Sequence, residues 1–460
     1  MLNRITALML IVATVFSACE KDDPPLADNL IQFEAADQGL GTDVNSKDIT
    51  IRLSRNTDVA IPVTVELTEA GVTYGTHYTT NPAAAAGVIT LTIPVGSNSV
   101  SFNVTKKADI FLNGDESVSF NIKAAGTPVG QTTKLKLSFG SIVSTGSALE
   151  LNGGEGGTSA VNHVFVDFSN NVQTAVNRKN YDLKFASGNE FRVLLNNVAG
   201  WAAVKTNKTD INAVNEADVT LANMQIGYGF GTLAMIDDTE GDITKNAMGV
   251  VSATEAENKV FLISTAGATF TPPAITAIKK IRVLRNGNGY TLQYADINAT
   301  TFQTLNIEKD NAYNFQFASL ANGKVNIEPA KDRWDIVWGW SFYKTFDAET
   351  STWIPYAYSD LVFSNNLGNV QAAEVLTTTV SYANFNESNI AAVTFSAKSD
   401  AIGSKWRLAS QTGAGVYTDR FYVVKDGAGN VYKLKFVNFH ANDGGKRGYP
   451  NIEYKLVKKA

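Results

Sequence analysis

The sequence predicts an all-β protein, an N-terminal β-sandwich followed by a larger, mostly antiparallel β domain with little helix. Three observations carry that expectation. Apolar and polar residues alternate through many short runs, the period of a half-buried strand. Gly, Asn and Pro separate those runs at regular intervals, as in sandwiches. Finally, Arg333-Trp334-Asp335-Ile336-Val337-Trp338-Gly339-Trp340 opens a segment that repeats an earlier one. Upstream stand Asn180-Tyr181-Asp182-Leu183-Lys184-Phe185, a second apolar run ending Asn196-Asn197, and Ala202-Ala203-Val204; downstream, Trp334-Asp335-Ile336-Val337-Trp338 leads to Asp360 through Asn365-Asn366 and Ala372-Ala373. Internal repetition constrains a fold more than any single residue does.

The chain has 460 residues, room for two or three domains with sizeable cores. Its net charge is −5, without a basic cluster, the wrong sign for a phosphate backbone, so nucleic acid is excluded as a partner. Arg4 supplies a positive start, and Ala7 to Phe16 form an apolar run too short to span a bilayer. It ends at Phe16-Ser17-Ala18-Cys19, which resembles a bacterial lipobox and marks 1–18 as a lipoprotein signal peptide with lipidation at Cys19. Cys19 is the sole cysteine, so no disulfide can form within the mature chain. Residues 19–27 form a tether, in which Glu20-Lys21-Asp22-Asp23 resembles the surface-export tag of Bacteroidota lipoproteins and Pro24-Pro25 adds stiffness. The resemblance implies a lipid-anchored protein on the outer membrane, exposed at the cell surface.

Residues 28–140 read as one sandwich. Alternation is clear in Ile49 to Leu53, Val63 to Leu67, Ile89 to Ile93, Val100 to Val104 and Val118 to Ile122, and Lys134 to Phe139 adds a strand. Thr73-Tyr74-Gly75-Thr76-His77-Tyr78, Ile93-Pro94-Val95-Gly96-Ser97, and Asp109 followed by Gly114-Asp115-Glu116-Ser117-Val118 resemble a Calx-beta domain. That resemblance implies Asp109, Asp115 and Glu116 as candidate calcium ligands. His77 stands where the family's turn has an acid, and the oxygen set is short of the six to eight that Ca²⁺ takes, which favours a spacer domain. Residues 141–157 read as a Gly/Ser linker. Its Gly153-Gly154-Glu155-Gly156-Gly157 lacks the Gly-Lys-Ser/Thr of a phosphate loop.

Residues 158–460 are read as one large β domain carrying both aromatic-Asp repeats. Ile281 to Leu284, Asn286-Gly287-Asn288-Gly289 and Tyr290 to Tyr294 spell a hairpin, as do Phe421 to Val424 and Tyr432 to Phe436 around Asp426-Gly427-Ala428-Gly429-Asn430. The stretch 205–275 is less regular, with a short helix expected near Asn215 to Met224. Alternation predicts Trp334, Ile336, Trp338 and Trp340 on one strand face, with Trp334 and Trp338 in the core.

Asn162-His163-Val164-Phe165-Val166-Asp167-Phe168, Tyr181-Asp182-Leu183, Trp334-Asp335-Ile336-Val337-Trp338 and Arg420 to Phe439 resemble the HmuY family of surface lipoproteins. The resemblance implies haem capture, with loops near 384–389 and 409–417 closing over the ring, and transfer to a TonB-dependent outer-membrane receptor. Neither loop, Asn384 to Asn389 or Ala409 to Gly415, contains His, Met or Cys. Candidate iron ligands are therefore Met224, Met235 and Met248, whose thioethers suit haem but equally fill cores, and His440. Trp340, Tyr343, Tyr356, Tyr358, Gln411 and Tyr417 are candidates to line the ligand. The same aromatics would serve a non-haem surface binder of glycan or host protein.

No catalytic motif is present: His-Glu-x-x-His, Gly-x-Ser-x-Gly and a cysteine nucleophile are all missing. Asp182 and Asp335 recur at equivalent places and read as strand-end hydrogen-bonders, and Asp237-Asp238-Thr239-Glu240-Gly241-Asp242 as a solvated acidic turn. The expectation is a binding protein, not an enzyme.

Overall fold

The computed structural model describes residues 28–41, 44–107, 116–139, 144–154, 157–409 and 413–460. The leader with Cys19, Asp109, Asp115, parts of the Gly/Ser-rich stretch and Gln411 lie outside those residues. The rest is nearly all β, in several mostly antiparallel sheets joined by turns and short 3₁₀ segments, with no long helix.

The alternation of the first segment is realised as two facing sheets. Ile31–Phe33, Ser46–Leu53, Ser99–Lys106 and Tyr78–Asn81 form one; Asp37–Gly39, Lys134–Ser138, Ser117–Ala125, Ile61–Ala70 and Val88–Ile93 form the other. Every second residue of these strands enters one aliphatic core with Phe33, Tyr78, Phe102 and Phe120 at its centre.

The remaining chain is not built on one sheet system: it makes two more sandwiches, each with its own core. In the inserted sandwich, Val193–Leu195, Leu183–Ala186, Phe315–Ser319 and Gly323–Val325 face a five-stranded sheet running from Ala202–Lys205 to Gln303–Ile307. In the split sandwich, Val172–Asn177, Asn162–Asp167, Ile336–Asp347 and Thr352–Ser364 face a sheet of Gly146–Glu150, Asn451–Lys458, Val431–Asn438, Arg420–Lys425 and Gln371–Leu376. Its first three strands precede the inserted sandwich in the chain and its others come after it. The Gly146–Glu150 strand zips antiparallel onto Asn451–Lys458 and closes the unit.

The two sandwiches share one bonding scheme. Asp182 N donates to Ala318 O (2.8 Å) and its carboxylate accepts from Leu320 N (2.6 Å); Asp335 N donates to Val166 O (2.7 Å) and its carboxylate accepts from Phe168 N (2.7 Å). Asn196 donates its amide to Arg178 O and Tyr181 O and accepts from Ala199 N; Asn365 donates to Lys331 O and Trp334 O and accepts from Gly368 N. A buried lysine on the central strand of each five-stranded sheet completes the parallel. Lys280 donates to Val214 O and Ala299 O, and Lys433 to Tyr382 O and Phe385 O, pinning the segment that covers the back of that sheet. Each ammonium is satisfied by carbonyl oxygens, the condition on which a buried charge is tolerated.

Two local expectations are corrected. Near Asn215 to Met224 the chain makes two 3₁₀ turns, Glu216–Asp218 and Leu221–Met224, because Val219 and Thr220 between them are extended. Trp334 precedes its strand and packs with Phe165 and Val337, apart from Ile336 and Trp338 in the sandwich core. Beyond Trp338 the pairing slips between Gly339 and Ser341, where Asp360 on the partner strand takes φ +56°. Such a bulge redirects the side chains beyond it, and Trp340 lies half-buried against Phe342, under the Arg178 guanidinium.

Candidate functional site

The Ile336–Asp347 and Thr352–Ser364 strands form the longest hairpin among the described residues, and its rings fall into two groups. At the tip Phe346 and Trp353 meet edge to face, both more than half exposed, over a turn held by Asp347. Lower down a chain of ring contacts runs Tyr228–Tyr356–Tyr358–Tyr343–Phe363, at centroid spacings of 5.6, 5.0, 5.5 and 6.5 Å. Edge-to-face pairs at such spacings hold side chains in place while leaving faces available. Of the predicted lining residues, Tyr343, Tyr356 and Tyr358 are therefore brought together, whereas Trp340 is not among them. Tyr417, at the foot of the Gly415–Val416 strand, lies under the Arg420 guanidinium (4.6 Å).

Tyr228 and Phe230 were not expected. They project from Gly227-Tyr228-Gly229-Phe230-Gly231, a tight turn in which Gly227 and Phe230 exchange backbone hydrogen bonds and all three glycines have positive φ. Alternating glycine and aromatic residues in an irregular stretch was the available signal: such a turn needs glycine and presents rings outward.

Cations stand beside the Tyr358 end of that group. The Arg447 guanidinium binds the Asp360 carboxylate at 2.6 Å and Arg407 donates to Ser359 O, while Arg420, over Tyr417, binds Asp419 and Glu374. Burial raises the Asp360 carboxyl despite Arg447, and burial lowers Arg407. Burial and Asp400, which accepts its hydroxyl, raise Tyr343, so that ring stays neutral. Glu240 lies between Lys344 and Lys398, whose hydrogen bonds hold its carboxyl down at about 2.

The candidate iron ligands are not brought together. Met224 is sealed against the back of the inserted sandwich, Met235 packs with Ile226, Ile236 and Phe342, and Met248 lies against the inserted core. These thioethers fill apolar gaps in three different clusters, the commoner use of methionine. His440 caps a 3₁₀ turn, its Nδ1 accepting from Asn442 N, so only Nε2 remains for a ligand. His77 Nδ1 likewise accepts from Thr73 N, and among the described residues no group of three acidic, His or Cys side chains could hold a metal ion. The calcium expectation is therefore not carried further: Glu116 belongs to no such group, and Asp109 and Asp115 lie outside the described residues.

Beneath the ring chain lies a cavity of about 170 Å³ between the outer faces of the two four-stranded sheets. Phe165, Val176, Leu194, Phe317, Val337 and Phe363 give it apolar walls, and Lys184, Asp237 and Glu328 place charge inside it. Drug-sized ligands occupy roughly 300–1,000 Å³, so a porphyrin does not fit here. Burial pushes Glu328 up to about 8 and Asp237 up to about 6, both opposed by Lys184, while burial drives His163 down to about 4. At neutral pH Glu328 is thus mostly protonated and His163 neutral. A carboxyl raised in the folded state binds more protons there than in the unfolded chain, so its contribution to stability is present at low pH and lost as pH rises toward 8. Glu328→Gln is accordingly expected to stabilise the protein relative to wild type at pH 8–9. The gain should shrink toward pH 5 with a slope of at most about 1.4 kcal/mol per unit. Urea denaturation across that range checks it, and a difference independent of pH would refute the assignment.

The β-sandwiches thus carry an aromatic rim, the kind of surface on which a scaffold presents residues for binding. A family model described as HmuY protein matches residues 159–454, and the chain belongs to that family. The matched region takes in the inserted sandwich and nearly all of the split one. No curated protein matches the chain. Among solved structures it is similar to the apo Calx CBD1 domain (13% identity, 25% of this chain and 97% of that one, TM-score 0.21). It is also similar to a putative carbohydrate binding protein from Bacteroides ovatus (10% identity, 73% of this chain and 97% of that one, TM-score 0.18). No helix among the described residues is long and apolar enough to cross a membrane.

Proposed function

We propose that this chain is a cell-surface haem-binding lipoprotein, anchored through Cys19, that captures haem and passes it to a TonB-dependent outer-membrane receptor. Membership of the HmuY family is the observation that carries the proposal. The aromatic rim supports it: Tyr228, Tyr356 and Tyr358 offer faces to a flat macrocycle, and the Arg407 guanidinium behind Tyr358 and Tyr417 adds positive charge on that side. With the methionines enclosed, binding would rest on stacking and on at most one axial ligand, for which His440 Nε2 is the available group. The scarcity of axial ligands favours one second reading, a non-haem surface binder that uses the same rim for glycan or host protein.

Haemin titration of the full chain separates the two. A saturable one-to-one Soret shift is expected, weakened roughly tenfold or more by Tyr356→Ala, which removes a stacking face and unseats Tyr228 and Tyr358. His440→Ala should alter the visible bands if Nε2 reaches the iron. A flat titration under oxidising and reducing conditions would eliminate direct haem binding and leave the second reading.

A further inference from the structure

We propose that the cavity between the two sandwiches is a second binding site, for a compact organic cation with an ammonium head and an apolar body no larger than one six-membered ring. The site is independent of the haem reading, since it is too small for a porphyrin.

Size sets the first limit. An engineered apolar cavity of about 150 Å³ in another protein admits benzene, and this one measures about 170 Å³. Its walls come from both units, Phe165 and Val337 from the split sandwich, Leu194 and Phe317 from the inserted one. They are the chemistry of a ring-sized apolar body.

Unused hydrogen-bonding capacity sets the second. Glu328 Oε1, Trp334 Nε1 and Ser364 Oγ are enclosed without a partner in the protein, and all three residues line this cavity. Trp334 is 8% exposed and Ser364 2%. Buried polar atoms are ordinarily paired, and three that are not belong to residues lining this one cavity, which gives a polar group entering it partners to meet.

Charge sets the third. Arg178 already donates to Ala160 O and Val198 O, and both Asp237 oxygens accept amide hydrogens, from Leu195 and Ala247. Lys184 lies over the Phe315 ring and opposes the charges of both Asp237 and Glu328. Asp238 and Asp242 stand at the mouth, Asp242 paired with Lys245. With Asp242 paired and Glu328 mostly protonated, Asp237 and Asp238 balance Arg178 and Lys184, and Glu328 is the carboxyl inside with an unused acceptor. An ammonium donating to Glu328 Oε1 and Ser364 Oγ meets both needs.

Such a cation would also draw the raised Glu328 carboxyl back toward ionisation, so binding should release a proton near neutral pH. The groups facing that carboxyl are Lys184 and Tyr181 around the Leu183–Ala186 strand, and Asn314 and Phe315 N, which donate hydrogen bonds to it. Lys184 and these bonds restrain the effect, and Tyr181 stays neutral.

The test is isothermal titration of the full chain with benzylamine, and with benzyl alcohol as the neutral counterpart, at pH 7 in two buffers of different ionisation enthalpy. Saturable binding of benzylamine is expected, at least roughly tenfold tighter than benzyl alcohol, with buffer-dependent heat that reports proton release. Glu328→Gln should remove both the preference and the proton release, weakening benzylamine at least roughly tenfold more than benzyl alcohol. Val337→Phe, with folding verified by thermal melting, should abolish binding of both. No saturable heat from benzylamine would mean that water alone satisfies these groups and would overturn the proposal. So would equal affinity for the two probes, or unchanged benzylamine binding by Glu328→Gln.

Discussion

Trp338→Ala is expected to destabilise the split sandwich by about 3–5 kcal/mol, the range for removing a large aromatic from a packed core. Trp338 is 0% exposed and packs with side chains of both facing sheets. It also closes on the backbone, because a Cβ added at Gly153 would run into its ring and into Gly448 O. Little room is left for the surroundings to collapse, which places the expected cost at the upper end. Its Nε1 has no partner in the protein, so Trp338→Phe gives up no hydrogen bond within the chain and should cost far less. Tryptophan fluorescence during urea unfolding is the measurement, since all six tryptophans lie between Trp201 and Trp406 and the N-terminal sandwich is silent in it. A loss below about 1 kcal/mol for Trp338→Ala would mean that the two sheets do not share the core described.

How much of this was legible in the sequence depended on whether the signal was local. The N-terminal sandwich was, because alternation in Val63 to Leu67 or Val118 to Ile122 fixes a face and the turns between fix the spacing. The Asp182 and Asp335 stations were legible as repeated positions after an aromatic residue, but their partners, Leu320 N and Phe168 N, lie far away in the chain and were not. What could not be read was which sheet each station belonged to. Periodicity reports that a strand has a buried face and says nothing of the strand opposite, so the division into two sandwiches, and the closure of the second by strands from before the first, stayed hidden. The Lys280–Lys433 correspondence was hidden for the same reason: both bond across long separations to segments of unlike sequence. The cavity is the extreme case. Lys184, Asp237 and Glu328 lie on three distant stretches, and only the packing of one sheet's outer face against another's brings them together. The methionines show the converse, because a thioether in a gap of the core and a thioether on iron have the same sequence signature.

The bonding scheme shared by the two sandwiches makes the second large prediction. Asn365 is 1% exposed; its Nδ2 donates to Lys331 O at 2.8 Å and Trp334 O at 3.0 Å, and its Oδ1 accepts from Gly368 N at 2.9 Å and Asn314 Nδ2 at 2.8 Å. Asn365→Asp keeps the shape but turns the donor into an oxygen facing two carbonyls. It also introduces a carboxylate among groups that, for Asn365, are amides and carbonyls. Each buried group left unpaired costs about 1–3 kcal/mol, and an uncompensated buried charge about 3–5 kcal/mol, so a loss of at least roughly 3 kcal/mol at pH 7 is expected. The new carboxyl should have its pKa raised by burial, making the folded state the better proton binder. The variant should therefore recover part of its stability as pH falls toward 4, where a protonated oxygen can again donate. Asn196→Asp should behave alike, because Asn196, 0% exposed, makes the corresponding bonds to Arg178 O, Tyr181 O and Ala199 N. Its loss should appear in the inserted sandwich. Hydrogen exchange resolves the two: protection should fall first around 183–325 in Asn196→Asp and around 336–458 in Asn365→Asp. Uniform loss over both regions in either variant would show that the two sandwiches unfold as a single cooperative unit, and that the shared scheme locks them to each other rather than each to itself.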